Sequence, residues 1–228
     1  AYTPERVGPL YELAQRLARL PGVRKVEGVV DTDPRLTREY FEAGRISYAP
    51  HNVYANFPAN AEMLYLLCMV LRGDAIQAAG MAQMVNVGLA ALVVATGWLI
   101  GRERSLRAGV VTGVVTAGIG WLTYLSGVAY VENAMLFFGM MAAAVLVRAY
   151  GNDGQGSTRW TFVAGLLAGL AAGCKYTGAV LVVVPLAILA AGLPGLSLKR
   201  RIAGLSAYAF AAALAVCPWL IKNAAMTG

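Results

Sequence analysis

The 228 residues of this chain are 58% hydrophobic and only 14% charged, and the mean hydropathy is +0.60. A soluble domain carries about 25% charged residues, so the composition argues against a soluble protein and predicts an all-α integral membrane protein. The net charge is +7, and after residue 75 the excess of basic residues lies in short runs. Such runs mark cytoplasmic loops. Without a basic stripe interleaved with aromatics, they do not indicate a nucleic-acid partner.

Residues 1–36 are expected to form a short extramembrane α/β segment. Four leucines at helical spacing indicate a helix that Pro21-Gly22 ends, and the valines that follow favour a strand. Residues 37–75 are expected to form an external loop, rich in Tyr, Asn and Pro, followed by a short apolar helix. About a dozen apolar residues are too few to cross a bilayer. This helix is therefore expected at the membrane surface.

Residues 76–228 are expected to form a multi-pass region of about six transmembrane or half-membrane helices. The expected spans are 76–100, 109–126, 132–148, 160–174, 178–193 and 202–221. The fourth and fifth are only about fifteen residues long, which suits shallow helices whose turn is sheltered by protein. Basic clusters such as Lys199-Arg200-Arg201 place the intervening loops on the cytoplasmic side of the inner membrane.

This topology collects five charged residues toward the outer face of the membrane: Glu62, Asp74, Glu132, Lys175 and Lys222. An ionisable group within an apolar run costs at least about 2.5–3.5 kcal/mol on insertion scales. Glu132 and Lys175 are therefore the leading functional candidates. The alternative is that each snorkels or pairs structurally near a helix end.

Other polar residues give weaker indications. Glu62 opens the short surface helix, so it is either a second candidate carboxylate or a residue that stabilises the helix dipole. His51 is the only histidine and has no partners at metal-ligand spacing. The three cysteines are far apart and suit small apolar side chains better than a disulfide framework. Glycines at 165, 169 and 173 are expected to allow close helix packing without a catalytic role.

Six short segments together carry a family resemblance: 39–46 (EYFEAGRI), 50–58 (PHNVYANFP), 62–65 (EMLY), 130–138 (YVENAMLFF), 165–178 (GLLAGLAAGCKYTG) and 218–223 (PWLIKN). They resemble multi-pass glycosyltransferases of the GT-C class, in the protein-mannosyltransferase and aminoarabinose-transferase-like branch. The resemblance covers about residues 37–228. Glu132 takes the place of an acidic residue that begins a helix after an external loop, and Lys175 that of a lysine between paired short helices.

The resemblance implies inverting transfer of a sugar from a polyprenyl-phosphate donor to an acceptor at the extracytoplasmic face. Glu132 or Glu62 would then be the catalytic carboxylate, because a carboxylate that is partly desolvated suits a general base. The implied substrate-binding residues are Lys175, Tyr176, Asn133, Asn56 and His51. Some relatives use a divalent metal, although no ligand set in this sequence establishes one. Membrane lipid is the other expected partner, and the acceptor is undefined.

Two features of that family, a preceding transmembrane helix and an acidic motif in the first external loop, are not found before residue 37. Residues 1–36 instead resemble a porter-domain segment of MMPL-like exporters in the RND superfamily, on the segments 3–8 (TPERVG) and 20–27 (LPGVRKVE). Two alternatives therefore stay open beside the glycosyltransferase. One is a transporter fragment, and the other is an inactive membrane fragment or fusion joined near residues 36–38.

Overall fold

A computed structural model describes residues 57–151, 158–192 and 197–227. The helix and strand expected in residues 1–36, together with His51 and Asn56, lie outside these ranges. Within them the regular secondary structure is all helical, as the composition predicts. The described residues fall into two compact units, 62–84 in one and 57–61 with 85–227 in the other.

Eight α-helices and one π-helical segment make up the described chain. They are α1 (Asn60–Arg72), α2 (Ala79–Arg102), α3 (Leu106–Ala117), α4 (Gly120–Ser126), α5 (Glu132–Gly151), α6 (Thr158–Ala172), the π-helical segment Ala179–Val183, α7 (Val184–Gly192) and α8 (Leu198–Thr227).

Three of these helices are long and apolar enough to cross a bilayer: α2, Glu132–Ala149 within α5, and Leu198–Met226 within α8. A fourth span results if α3 and α4 are counted as one bent element. Helix α6 and the segment Ala179–Gly192 are apolar but shorter. The described chain thus has the character of a membrane protein, and the larger number of about six crossings remains a prediction.

The smaller unit contains most of α1 and the first turn and a half of α2. Along α1, Tyr65 and Cys68 are buried while Leu67 and Val70 are exposed, so the helix has two distinct apolar faces. Gly73 ends it in the left-handed conformation, with φ of +71° and an N–H that donates to Met69 O at 2.8 Å. Glycine adopts that conformation without steric penalty.

The core of the larger unit is built on α6, which packs along both α5 and α8. A Cβ atom on Gly165 would overlap the carbonyl oxygen of Tyr208, and one on Gly169 would overlap that of Ala212. The backbones of α6 and α8 are therefore in direct contact. The packing role expected for these two glycines is confirmed.

Helices α3 and α4 differ from the straight span expected over 109–126, because the chain bends by 60° between them. Gly118 closes α3 by donating its N–H to Val114 O, and Ile119 is extended, with ψ of 103°. Thr112 and Thr116 also donate their hydroxyls to the carbonyls four residues earlier, each at 2.7 Å. Such side-chain bonds bend helices, and glycine favours a break at the end of α3.

The π-helical segment Ala179–Val183 continues directly into α7. The N–H of Val184 donates to Ala179 O, five residues earlier, which is the π-helical pattern. Tyr208 on α8 is fully buried and donates its hydroxyl to Val183 O at 3.1 Å. This bond satisfies a polar group in the interior and ties the irregular segment to α8.

Candidate functional site

Two chain segments bring the leading candidate residues together. The first is the turn before α5, where Ala129 has φ of +48°, a conformation that is uncommon for a residue with a side chain. Val131 and Ala134 are buried in the apolar core around the start of α5. Glu132 lies between them, in the first turn of α5.

The second segment is the turn of residues 173–178, which links α6 to the π-helical segment. Its backbone is tightly bonded: Gly173 N–H donates to Gly169 O at 2.8 Å, and Gly178 N–H donates to Lys175 O at 2.8 Å. A Cβ atom on Gly178 would lie 2.6 Å from Ala171 O, so only glycine fits there. The turn therefore holds the backbone of Lys175 in a defined position.

Glu132 and Lys175 form an ion pair, with 2.9 Å between Lys175 Nζ and Glu132 Oε1. The lysine side chain is 43% exposed and the glutamate side chain 23%. The second carboxylate oxygen of Glu132, Oε2, is buried and has no hydrogen-bond partner within the described residues. The pair thus presents an accessible cation beside a carboxylate with one bonded and one unbonded oxygen.

Asn133 follows Glu132 and is fully buried. Neither its Nδ2 nor its Oδ1 has a hydrogen-bond partner among the residues that the structure describes. A buried polar group without a partner costs about 1–3 kcal/mol. Such groups are rare in folded proteins and call for a specific explanation.

Asn60 connects three elements at the same end of the helix bundle. Its backbone N–H donates to Gly173 O at 2.9 Å, and its side-chain Nδ2 donates to Leu170 O at 3.2 Å. Its Oδ1 accepts from the indole N–H of Trp219 at 2.8 Å. The start of α1, the end of α6 and the last part of α8 therefore meet at one side chain.

The sequence did not single out Asn60. An asparagine before an apolar run is a usual helix-start signal, and a capping role would be the ordinary expectation. The contacts to Leu170 and Trp219 join residues 110 and 159 positions away. No local pattern carries information about partners at that separation.

Two aromatic contacts lie at this end of the bundle as well. Tyr176 packs edge-on against Phe57, with 4.8 Å between the ring centroids. Tyr176 is 39% exposed and follows Lys175 directly. Lys222 places its Nζ 5.6 Å from the centroid of the Trp219 ring. A cation and aromatic surfaces therefore accompany the ion pair.

The remaining candidates are distributed as follows. Glu62 belongs to the smaller unit and is buried in the first turn of α1. Asp74, in the same unit, accepts the backbone N–H of Gln77 at 2.7 Å, which stabilises the turn before α2. A cluster of three or more histidine, cysteine, aspartate or glutamate side chains does not occur in the described residues. The carboxylate of Glu132 is paired with an ammonium, so the groups described do not fit a divalent metal.

No protein-family model matches this chain, and no curated protein or solved structure is significantly similar to it. The resemblances to glycosyltransferases and to exporters therefore rest on the short segments that carry them. Among the described residues, the Glu132–Lys175 pair and its surroundings are the arrangement from which chemistry can be derived.

Proposed function

We propose that this chain is a membrane glycosyltransferase, or a part of one, that transfers a sugar from a polyprenyl-phosphate donor to an acceptor at the extracytoplasmic face. The observation that supports this function is the 2.9 Å contact between Glu132 and Lys175 at one end of a bundle of apolar helices. A lipid-linked donor requires a polar site that opens beside the hydrocarbon layer, and the pair lies at the end of such a bundle.

Lys175 is the phosphate ligand in this proposal. Its ammonium is a compact cation with three donors, and at 43% side-chain exposure it is accessible to a lipid headgroup. A donor phosphate would compete with Glu132 for the ammonium. Binding of the donor would then release Glu132 Oε1 for a second role.

Glu132 is the general base. It takes the proton from an acceptor hydroxyl while the acceptor oxygen bonds to the anomeric carbon of the sugar. The bond between that carbon and the phosphate oxygen breaks, and polyprenyl phosphate leaves with the electron pair. Attack opposite the leaving group inverts the anomeric centre, as the family resemblance implies. General base assistance of this kind contributes about 10²–10⁴-fold to the rate.

The charge distribution supports an outward-facing site. The opposite end of α5 carries Arg148, which pairs with Glu103 at 3.4 Å. Arg102, Arg104 and Arg107 lie on either side of Glu103 in the chain. A basic end of this kind is retained in the cytoplasm. Sixteen residues of helix separate Glu132 from Arg148, which is about 24 Å at 1.5 Å per residue, so the ion pair would lie near the other face.

In this proposal Tyr176 and Asn133 bind the polyprenyl-phosphate sugar beside the ion pair. Tyr176 offers an exposed aromatic ring adjacent to Lys175, and Asn133 offers a donor and an acceptor in the interior. Glu62 remains the second candidate base. Asn56 and His51 remain candidate substrate-binding residues.

The test uses the intact protein in membrane vesicles with a radiolabelled polyprenyl-phosphate hexose and pentose as donors. Glu132→Gln should lower the rate of sugar transfer by about 10²-fold or more, and Lys175→Met should raise the KM for the donor. The matched controls are Glu103→Gln and Arg148→Met, which remove an ion pair at the other end of the bundle and should leave transfer unchanged. Normal transfer in both site variants would overturn the assignment, and passage of substrate across the membrane without transfer would favour a transporter.

A further inference from the structure

The side chain of Asn60 bonds to two helices other than its own, α6 and α8. Both functional groups of the amide are used, because Nδ2 donates to Leu170 O and Oδ1 accepts from Trp219 Nε1. Trp219 is 93% buried, so its indole N–H needs an internal acceptor. An aspartate could not make the first bond, and a leucine could make neither.

We infer that Asn60 is a positioning residue that holds Lys175 opposite Glu132. The consequence for catalysis rests on the function proposed above, whereas the effect on the ion pair does not. Asn60 lies outside the reacting groups, and its side chain sets their geometry.

Asn60 is connected to Lys175 through the turn of residues 173–178. The backbone N–H of Asn60 donates to Gly173 O, two residues before the lysine. The amide group also fills the space beside Gly173, since a Cβ atom there would overlap Asn60 Nδ2. The turn is therefore held by Asn60 at its entry and by its own bond from Gly178 N–H to Lys175 O at its exit.

Asn60 is itself held in place by its hydrogen bond to α8. Through Trp219 it is fixed to α8, and α8 packs along α6, which in turn packs on α5, where Glu132 begins the helix. The position of the turn relative to α5 thus depends on a closed set of contacts that includes Asn60. Removal of the amide would leave Leu170 O and the Trp219 N–H without this partner and loosen the turn that carries Lys175.

A merely structural role predicts a different outcome. A buried hydrogen bond elsewhere would lower stability when removed but would leave the Glu132–Lys175 interaction intact. Asn86 provides that comparison, because its fully buried Nδ2 donates to Leu125 O at 2.6 Å. Asn60→Leu and Asn86→Leu are therefore the same change of side chain, which removes two hydrogen bonds at Asn60 and one at Asn86.

The decisive measurement is a double-mutant cycle on the ion pair in the purified protein in detergent. The melting temperatures of Glu132→Gln, Lys175→Met and the double variant are measured in three backgrounds: native, Asn60→Leu and Asn86→Leu. The coupling between Glu132 and Lys175, which is the non-additive part of the shifts in melting temperature, should disappear in Asn60→Leu and persist in Asn86→Leu. If Asn60→Leu does not fold, Trp219→Phe, which removes the partner N–H together with part of the indole ring, should reduce the same coupling. Full coupling in the Asn60 or Trp219 background overturns the inference.

The kinetic measurement separates this inference from the proposed function. With a polyprenyl-phosphate hexose as donor, Asn60→Leu should raise the donor KM about tenfold and leave the acceptor KM unchanged. An equal fall in kcat for all substrates, with both KM values native, would indicate loss of folded protein and count against positioning. Loss of coupling in a protein that transfers no sugar would support the positioning role of Asn60 while refuting the transferase.

Discussion

Replacing Asn133 by leucine is expected to stabilise the protein, because the native side chain is fully buried and neither of its polar atoms has a partner in the described residues. An unsatisfied buried polar group costs about 1–3 kcal/mol. Leucine has a similar volume and carries no polar atom, although its branched end introduces a packing penalty of about 1 kcal/mol. The two effects oppose each other, and the removal of two unsatisfied atoms should prevail.

The expected net gain is about 0–2 kcal/mol, which is the cost of the unsatisfied amide less the packing penalty. In a protein of about 150–250 residues, 1 kcal/mol shifts the melting temperature by about 2–4 °C. Asn133→Leu should therefore melt at up to about 8 °C above the native protein in detergent. At the same time it should bind a polyprenyl-phosphate hexose more weakly, because the proposal assigns Asn133 to the donor.

Asn86→Leu is the matched control for this stability measurement. It breaks the 2.6 Å bond from Asn86 Nδ2 to Leu125 O, a carbonyl that also accepts the Val128 N–H, and it removes one unbonded atom, Asn86 Oδ1. Because Asn86→Leu loses a hydrogen bond that Asn133→Leu does not, it should melt at a lower temperature than Asn133→Leu. A melting temperature of Asn133→Leu at or below that of Asn86→Leu, and below that of the native protein, would refute this prediction. That result would mean that the Asn133 amide is satisfied in the folded protein, for example by bound water.

Gly165→Ala should destabilise α6 against α8 by about 1–3 kcal/mol, because the added Cβ atom would overlap a backbone carbonyl; an unchanged melting temperature would contradict the close contact. Ala129→Gly should stabilise the turn before α5 by roughly 0.5–1 kcal/mol, since φ of +48° favours glycine; denaturant titration in detergent would detect the shift. Burial raises the pKa of the Cys68 thiol above its ordinary value, although a backbone hydrogen bond opposes this. Because the thiolate is the nucleophile, alkylation of Cys68 at pH 8 should be slower than that of a peptide cysteine, as mass spectrometry would show.

The long helices are predictable from the sequence because apolar run length and loop charge are local properties. Helix α5 begins at Glu132, where the apolar run is relieved by polar residues, and α6 ends just before the Lys175 turn. Both boundaries coincide with charges that are expensive to bury in hydrocarbon. The sequence also correctly indicates the packing role of Gly165, since small residues at four-residue spacing allow helices to approach.

The features that the sequence does not predict all depend on distant partners. The bend after Gly118 combines a weak helix position with the hydroxyl bonds of Thr112 and Thr116, and each of these is common in straight helices. The π-helical segment is tied to Tyr208, which lies 25 residues beyond Val183. The contacts of Asn60 span still larger separations. Periodicity within a helix contains no information about such pairings.

The order of Glu132 and Lys175 along the chain bears on how the protein enters the membrane. Helix α6 and the segment Ala179–Gly192 are each short for a crossing, and the turn between them carries an ammonium that hydrocarbon disfavours. Glu132 is synthesised 43 residues before Lys175. The carboxylate that pairs with the lysine therefore leaves the ribosome before the lysine does. If α6 and the segment Ala179–Gly192 enter the bilayer as a pair, α5 already carries a counterion for the turn between them, and deletion of α5 would remove that counterion.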